Sequence, residues 1–465
     1  MSTTSPEVLV ALDRSKARGL RAQVEDELRE AIRSGRLAPG TRLPSSRALA
    51  ADLDVTRGVI VAAYDQLLAE GYLVSRAGSG TVVGTAPVAE PSACTAPDRH
   101  ARPSIDFLPG LPDLALFPRA TWARACRTAL ATLPSSSLGY VDPRGLPDLR
   151  EALVDYLGRV RGVCSTHENI LVCDGFTHGF SLVAPVLRDL GYDVIAVEDP
   201  GHTGPRQQIE WVGTRYVPVA VDEEGIVVDE LRRTGARAVV VTPAHQYPTG
   251  AVLSPRRRAE LAAWAHEIDG VVVEDDYDAE YRYDRHPIGA FQGVAPEHVI
   301  YGGTLSKSLA PGVRLGWLVL PPALVDRVIA MREMTGLATA SLAQATTAHF
   351  LARGDLDRHL RRTRRIYRHR RDTLIDALAR LFPEATPSGI AAGLHLLVSL
   401  PAGVDDRRLS ERAAAEGVGV EPMSKYRCRP RPDLAPGLVL GYGSVTPSQT
   451  ERGVKILAEL ARDVD

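Results

Sequence analysis

Lysine, cysteine and long apolar runs are scarce in this sequence of 465 residues. The five cysteines lie far apart and form no C-x-x-C pair, which excludes a zinc ribbon and favours a reducing compartment. No apolar run approaches the roughly 18 residues of a transmembrane helix, and the N-terminus has no signal-peptide pattern. We therefore expect a cytoplasmic protein without membrane contacts and without a metal site.

The charge balance is nearly neutral, with a formal net charge of −2. This excludes a polycation that binds nucleic acid by bulk charge, although a local basic surface remains open. Only four of the 55 basic residues are lysines: Lys16, Lys307, Lys425 and Lys455. Each deserves inspection, because arginine cannot replace lysine in Schiff-base chemistry.

A proline- and alanine-rich segment, residues 85–105, divides the chain. Its composition predicts a linker between an N-terminal domain, residues 12–84, and a C-terminal domain, residues 106–465. In the smaller domain, apolar spacing predicts a helix from residue 20, a second from Ser45 or Ser46 and a third from Thr56. Two short alternating runs then predict a hairpin. Three helices and a hairpin are typical of a winged helix-turn-helix.

The larger domain alternates short β-branched runs with longer helical patterns, which predicts a mainly parallel α/β sheet. The predicted strands are 170–173, 193–197, 238–241, 271–273 and 298–301. From about residue 355 an arginine-rich helix, 357–381, and later strands predict a smaller α+β subdomain. The basic stretch 358–372 is interpreted as the solvated face of that helix, and a nucleic-acid patch is the alternative.

One lysine follows a predicted buried strand directly. Lys307 stands in GGTLSKSLAPGVR, a position that favours a lowered pKa and nucleophilic use. Thr304 and Ser306 offer hydroxyl groups and Arg314 a guanidinium fork, all suited to one phosphate group. About 30 residues earlier, Glu274-Asp275-Asp276-Tyr277 ends another strand. A carboxylate there is suited to holding a pyridine nitrogen protonated.

The N-terminal domain resembles the GntR-type winged helix-turn-helix. The resemblance rests on PGTRLPSSRALA, a helix that opens with Thr-Arg, LLAEGYL and a Gly-Ser-Gly wing. It implies double-stranded DNA binding through a set of small and basic residues: Ser45, Ser46, Arg47, Thr56, Arg57, Arg76 and Gly80. Asp54 departs from the family, which usually has glycine at this position. The substitution bears on the turn between the second and third helices, because glycine adopts a positive φ more easily than aspartate.

The C-terminal domain resembles the fold-type I aminotransferases, and the two domains together resemble the MocR/GabR regulators, which use pyridoxal 5'-phosphate (PLP). The resemblance implies that Lys307 forms the internal aldimine, Asp275 pairs with the pyridine nitrogen and Tyr277 with the ring hydroxyl. The remaining implied cofactor contacts are Gly175, Phe176, Thr177, His202, Thr304, Ser306, Arg314 and, from the neighbouring subunit, Tyr140.

Three departures from the aminotransferases bear on function. His202 stands where a tyrosine usually stacks on the pyridine ring, and Tyr247 stands where an asparagine often contacts it. Residues 436–446 hold no arginine where many aminotransferases bind a substrate carboxylate; Arg206, Arg427, Arg429 and Arg431 are substitutes. The resemblance therefore implies a transcriptional regulator that senses PLP or an amino compound, with a working aminotransferase as the alternative.

The net charge of the small domain and the family resemblance both bear on the oligomeric state. Residues 1–85 hold 11 basic and 10 acidic side chains, a net charge of +1, so one domain alone is expected to bind DNA weakly. The resemblance implies a homodimer with swapped domains that contacts an operator of two half-sites.

Overall fold

The computed structural model describes residues 12–14, 19–76, 80–84, 103–283, 288–336, 338–389, 391–430 and 434–462. The chain divides into two compact units, Met1–His100 and Ala101–Asp465. Most of the predicted linker, residues 85–102, lies outside the described residues, and Ile105 at its end already belongs to a strand. No helix among the described residues combines the length and hydrophobicity needed to cross a bilayer.

The first unit is built from three helices and a hairpin. They are α1 (Leu20–Arg33), α2 (Ser46–Asp52), α3 (Arg57–Ala69), β1 (Leu73–Arg76) and β2 (Gly80–Val83). Val24, Leu28, Ile60 and Leu67 are fully buried in its core, as the helical spacing requires. The predicted fold of this unit is correct; residues 77–79 of the predicted hairpin turn lie outside the described residues.

The second unit contains the remaining elements. Its strands are β3 (Ile105–Asp106), β4 (Ile170–Cys173), β5 (Val194–Asp199), β6 (Arg215–Asp222), β7 (Gly225–Ile226), β8 (Ala238–Val241), β9 (Val271–Asp276), β10 (Val299–Thr304), β11 (Gly316–Val319), β12 (Thr386–Ser388), β13 (His395–Ser399), β14 (Val418–Gly419), β15 (Glu421–Pro422) and β16 (Gly437–Gly441). Its helices are α4 (Arg119–Thr132), α5 (Pro147–Arg161), α6 (Phe176–Asp189), α7 (Thr203–Trp211), α8 (Val228–Thr234), α9 (Pro255–Glu267), α10 (Pro322–Thr335), α11 (Ser341–Ala352), α12 (Asp355–Leu381), α13 (Asp406–Ala415) and α14 (Pro447–Arg462).

The main sheet has eight strands among the described residues, in the order β4-β11-β10-β9-β8-β5-β6-β7. The five strands from β10 to β6 pair in parallel, whereas β11 is antiparallel to both neighbours and β7 to β6. β8 is buried along its whole length, as expected for a parallel strand covered on both faces. The carboxyl ends of β9 and β10 meet at one edge, where ligands bind in open α/β sheets.

The smaller subdomain has a four-stranded sheet in the order β12-β13-β16-β15. Helices α12 and α13 pack against this sheet, and α14 packs against those two helices. The predicted arginine-rich helix is present as α12. Leu356, Leu360 and Tyr367 face the core, while Arg361 and Arg365 are exposed. The prediction of a solvated basic face therefore holds for only part of the stretch, because His359 is buried and Arg370 pairs with Asp113.

The side chains of Asp275 and Asp276, at the end of β9, lie on opposite faces of the strand. Asp276 turns away from the edge and accepts hydrogen bonds from the buried Arg161 at 2.8 and 3.2 Å and from Tyr301 at 2.7 Å. Asp275, one residue earlier, points to the opposite face, as strand alternation requires. The Asp276–Arg161 ion pair therefore joins β9 to the end of α5.

Asp276→Ala is expected to lower the free energy of unfolding by roughly 3–5 kcal/mol, because it leaves the Arg161 guanidinium buried without its counter-charge. Denaturant unfolding measures this change. The control is Glu267→Ala, which removes a carboxylate from an exposed ion pair with Arg232 and is expected to cost about 1 kcal/mol or less. Equal effects of the two substitutions contradict the prediction.

Candidate cofactor site and DNA-binding surface

A cavity of about 180 Å³ lies at the carboxyl ends of β4, β9 and β10. It brings together residues from six separate segments of the chain. They are Pro109, Gly110, Asp174, Gly175, Phe176, Thr177, His202, Tyr247, Asp275, Tyr277, Thr304, Ser306, Lys307 and Arg314. Ten of the predicted cofactor residues line this cavity.

Tyr140 is the predicted cofactor residue that does not line the cavity. It follows a short 3-10 turn, and its side chain is fully exposed. Its predicted contact is with a neighbouring subunit, so its place in one chain leaves that prediction open.

Lys307 lies three residues beyond the end of β10. Its Nζ donates a hydrogen bond to the Gly110 carbonyl oxygen at 2.7 Å. Gly110 has a φ of +84°, and a Cβ atom there would come within 2.9 Å of Nζ. Burial lowers the pKa of Lys307, and the negative charge of Asp275 partly opposes that shift. The lysine is thereby brought closer to its neutral, nucleophilic form.

Asp275 faces the cavity without a protein partner for one of its oxygens. Its Oδ1 is buried and makes no hydrogen bond within the structure. Burial raises the pKa of this carboxyl well above its usual value, and Lys307 partly opposes that shift. A buried acceptor without a partner is costly, so Asp275 is suited to a cationic or N–H ligand group.

Another part of the cavity wall carries a group of hydrogen-bond donors, which we call the phosphate cradle. Gly175 caps the N-terminus of α6, whose first backbone N–H groups, beginning with Phe176, have no partners within the helix. The Thr304 and Ser306 hydroxyl groups are hydrogen bonded to each other at 2.9 Å. Arg314 adds a guanidinium at the cavity wall. A helix N-terminus, two hydroxyl groups and an arginine together suit a phosphate group.

His202 and Tyr247 form an aromatic part of the wall. Their rings meet edge-on with centroids 5.7 Å apart, and Tyr247 donates a hydrogen bond to the Tyr426 hydroxyl at 2.7 Å. Burial, reinforced by the positive charge of Lys307, lowers the pKa of His202 to about 4. The imidazole is therefore neutral near pH 7 and presents an uncharged ring to the cavity.

Four lining residues were not among the predicted site residues. Pro109 and Gly110 come from a segment without a recognisable motif. Asp174 directly precedes Gly175 and accepts a hydrogen bond from Thr339 at 2.7 Å. Tyr247 stood out in the sequence because it replaces an expected asparagine. Its hydrogen bond to Tyr426, 179 residues away, could not be read from the sequence.

The predicted DNA contacts gather at one end of α2 and α3 and on the hairpin. Ser45 caps α2 by accepting from the Ala48 N–H at 3.2 Å, and Arg57 donates to Ser46 at 3.4 Å. The others, Arg47, Thr56, Arg76 and Gly80, are exposed. Arg42, which was not predicted as a DNA contact, is exposed, and its guanidinium lies beside Gly80 of the hairpin.

The turn between α2 and α3 tolerates the unusual Asp54. Its φ is +50°, the left-handed conformation that glycine would adopt easily. Arg14 donates to its carbonyl oxygen at 2.6 Å and to its carboxylate at 2.8 Å. Asp54 therefore has the left-handed backbone conformation expected for the glycine that the family usually has at this turn.

Comparison with known proteins matches both units. The aminotransferase class I and II family model matches residues 113–454, and the model for bacterial regulatory proteins of the gntR family matches residues 20–83. A probable rhizopine catabolism regulatory protein, MocR, from Rhizobium meliloti is 33% identical, over 97% of this chain and 95% of that protein. The pyridoxine biosynthesis transcriptional regulator PdxR from Corynebacterium glutamicum is 35% identical, over 94% of each chain.

The chain belongs to the MocR/GabR regulators of the GntR family. Its second unit has the fold of the class I and II aminotransferases, as a Pyrococcus horikoshii kynurenine aminotransferase shows with a TM-score of 0.70. That structure is 27% identical and covers 77% of this chain and 91% of its own. The protein is a PLP-dependent transcriptional regulator, and the predictions of fold, family and cofactor are confirmed.

The cavity of this MocR-type regulator fits PLP chemically. The partnerless Asp275 oxygen suits a protonated pyridine nitrogen, the cradle at Gly175 suits the phosphate, and Lys307 supplies a primary amine. When bound, PLP supplies an aldehyde that captures amines and a ring that withdraws electrons.

Asp275→Asn is expected to lower the pKa of Lys307 further, because it removes the negative charge that stabilises the ammonium form. The rate at which cofactor-free protein attaches PLP depends on the neutral amine, so its pH midpoint is expected to shift to lower pH. Stopped-flow absorbance over a pH series measures that midpoint. Asp189→Asn, at an exposed position, is the control; an unchanged or higher midpoint for Asp275→Asn contradicts the prediction.

Proposed function

We propose that the aminotransferase-like domain senses PLP itself or an amino compound through a cofactor attached to Lys307, and that the winged helix carries the response to DNA. The observation that supports this most is the single cavity shared by the Lys307 amine, the partnerless Asp275 oxygen and the phosphate cradle. In this proposal Lys307 holds the cofactor covalently, Asp275 keeps its ring nitrogen protonated and Tyr277 contacts its ring hydroxyl. Thr304, Ser306 and Arg314 bind its phosphate.

Sensing is favoured over transamination by the arginines around the cavity. Among the described residues, Arg314 is the only arginine that lines it, and it stands with the phosphate cradle. Arg206 is buried, donates to the Cys428 sulfur at 3.1 Å and contacts two carbonyl oxygens. Arg427 donates to the Ala435 carbonyl oxygen at 2.6 Å, and Arg431 lies outside the described residues. Arg429 is exposed and does not line the cavity, so no described arginine other than Arg314 stands there as a bidentate partner for a substrate carboxylate.

The proposal includes a homodimer on an operator with two half-sites. The exposed Tyr140 side chain is available to a neighbouring subunit, and the small net charge of the N-terminal domain favours binding by two copies. Light scattering on the purified protein measures this assembly directly. Because the regulator binds DNA, we place its action in the cytoplasm.

Lys307→Ala and Lys307→Arg are both expected to abolish covalent attachment of PLP, since neither side chain offers a neutral amine. The measurement is incorporation of PLP after borohydride reduction, followed by mass spectrometry. Lys425→Arg is the control, because Lys425 lies outside the cavity and pairs with Glu421 at 2.6 Å. Retained reducible attachment in either Lys307 variant would show that another residue holds the cofactor.

Arg57→Ala is expected to reduce specific operator binding at least tenfold, which corresponds to the loss of about 1.4 kcal/mol or more from one base or phosphate contact. The absorbance of the bound cofactor should not change, because Arg57 is in the separate N-terminal unit. Fluorescence anisotropy with operator DNA measures the affinity. Arg21→Ala removes the same charge from α1, where Arg21 pairs with Glu25, and serves as the control. Equal losses in the two variants would indicate a bulk-charge effect.

A further inference from the structure

A buried group of polar side chains lies behind the cofactor cavity, and the proposed function gives it no role. His245, Asp278 and His395 are each at most 3% exposed, and they pack beneath Tyr277, which lines the cavity. We call these three residues the histidine cluster. They come from the loop after β8, the segment just after β9 and the start of β13.

The hydrogen bonds of this cluster determine where its protons lie. His245 Nδ1 is 3.1 Å from both Asp278 carboxylate oxygens and 3.1 Å from the Tyr277 hydroxyl oxygen. An ionised carboxylate only accepts, so Nδ1 carries a proton when it bonds Asp278. The Tyr277 hydroxyl therefore cannot donate to Nδ1. Its proton goes to the His245 carbonyl oxygen, 3.0 Å away, or to a group in the cavity.

The His245 ring is tightly packed within the cluster. Its ring centroid is 5.0 Å from that of His395 and 6.1 Å from that of Tyr277. Gly393 has a φ of +70°, and a Cβ atom there would come within 2.2 Å of His245 and 2.4 Å of Asp278. A rigid ring with a defined proton is the arrangement that orients a neighbouring hydroxyl group.

We propose that His245, oriented by Asp278, is a positioning residue that directs the Tyr277 hydroxyl proton toward the ring oxygen of the cofactor. This inference rests on the proposed function, in which Tyr277 contacts that oxygen. The Nδ1 proton is bonded to Asp278, so Nδ1 offers the Tyr277 hydroxyl no acceptor, and the His245 carbonyl oxygen at 3.0 Å is the acceptor that the protein itself provides. The hydroxyl proton can then move to an acceptor in the cavity without a change of side-chain position.

A metal site is the competing interpretation of the same residues, since their ligand atoms lie within 4.8 Å of one another. His395 Nε2 is buried without a hydrogen-bond partner, which would suit such a site. Both Asp278 oxygens, however, already face one His245 nitrogen at hydrogen-bond distance. That geometry favours a histidine–carboxylate pair, and metal analysis of the purified protein distinguishes the two interpretations.

The test is a double-mutant cycle on the full chain with PLP as the ligand. His245→Gln and Tyr277→Phe are each expected to weaken PLP binding about tenfold and to shift the absorbance maximum of the bound cofactor. Because His245 acts through Tyr277, the double variant should also be about tenfold weaker, whereas independent effects would multiply to about a hundredfold. His298→Gln is the control, because His298 makes a comparable bond to the Gly270 carbonyl at the opposite end of the strands.

A second measurement needs no variant. NMR of cofactor-free protein labelled with ¹⁵N-histidine reports the His245 tautomer, and a proton on Nδ1 is expected. A bare Nδ1, a hundredfold loss in the double variant, wild-type affinity of His245→Gln or a stoichiometric metal ion would each overturn the inference. Failure of the wild-type protein to bind PLP, or attachment that survives in Lys307→Ala, would instead overturn the proposed function.

Discussion

The register between β9 and β10 is the constraint on which the site depends. Gly302 of β10 pairs with Asp275, and Gly303 with Asp276. Strand alternation then sends successive side chains of the run Glu274 to Asp278 to different partners. A slip of one residue would place the carboxylate that pairs with Arg161 in the cavity and bury the other beside Arg161.

The acidic side chains of that run differ in their hydrogen-bond partners. Glu274 accepts hydrogen bonds from the Phe291 and Gln292 backbone N–H groups at 2.8 Å, and Asp276 is paired with Arg161. Asp278 is paired with His245. Within this run, only Asp275 has a buried carboxylate oxygen that makes no hydrogen bond in the structure. Because the other three are satisfied within the protein, the ligand-directed charge is confined to one position.

The sequence predicted the parts of the site that lie within one motif. Lys307, Thr304 and Ser306 follow one strand and Asp275 follows another, so their chemistry and order were visible without coordinates. Gly110 and the Tyr247–Tyr426 bond were not predictable, because each depends on a contact between segments far apart in the chain. The role of His245 was equally hidden, since its partner Asp278 lies 33 residues away and the pair forms only when β8 and β9 align. Strands β6 and β11 were missed because a proline interrupts one and a glycine begins the other.

The lining of the cavity bears on how a chain with an aminotransferase fold can serve as the sensor proposed above. In the proposed function Lys307 holds PLP covalently, and capture of an amine by the cofactor aldehyde does not require a second recognition group for a carboxylate. The one arginine that lines the cavity among the described residues stands with the phosphate cradle, so in the proposed function the neutral wall of His202 and Tyr247 contributes to selectivity for an effector. Such a wall discriminates by shape rather than charge, and differences of one methylene group in an apolar pocket amount to about 1–3 kcal/mol. In the proposed function, a cofactor held by a covalent bond and an effector recognised by shape suit a regulator that follows changes in effector concentration.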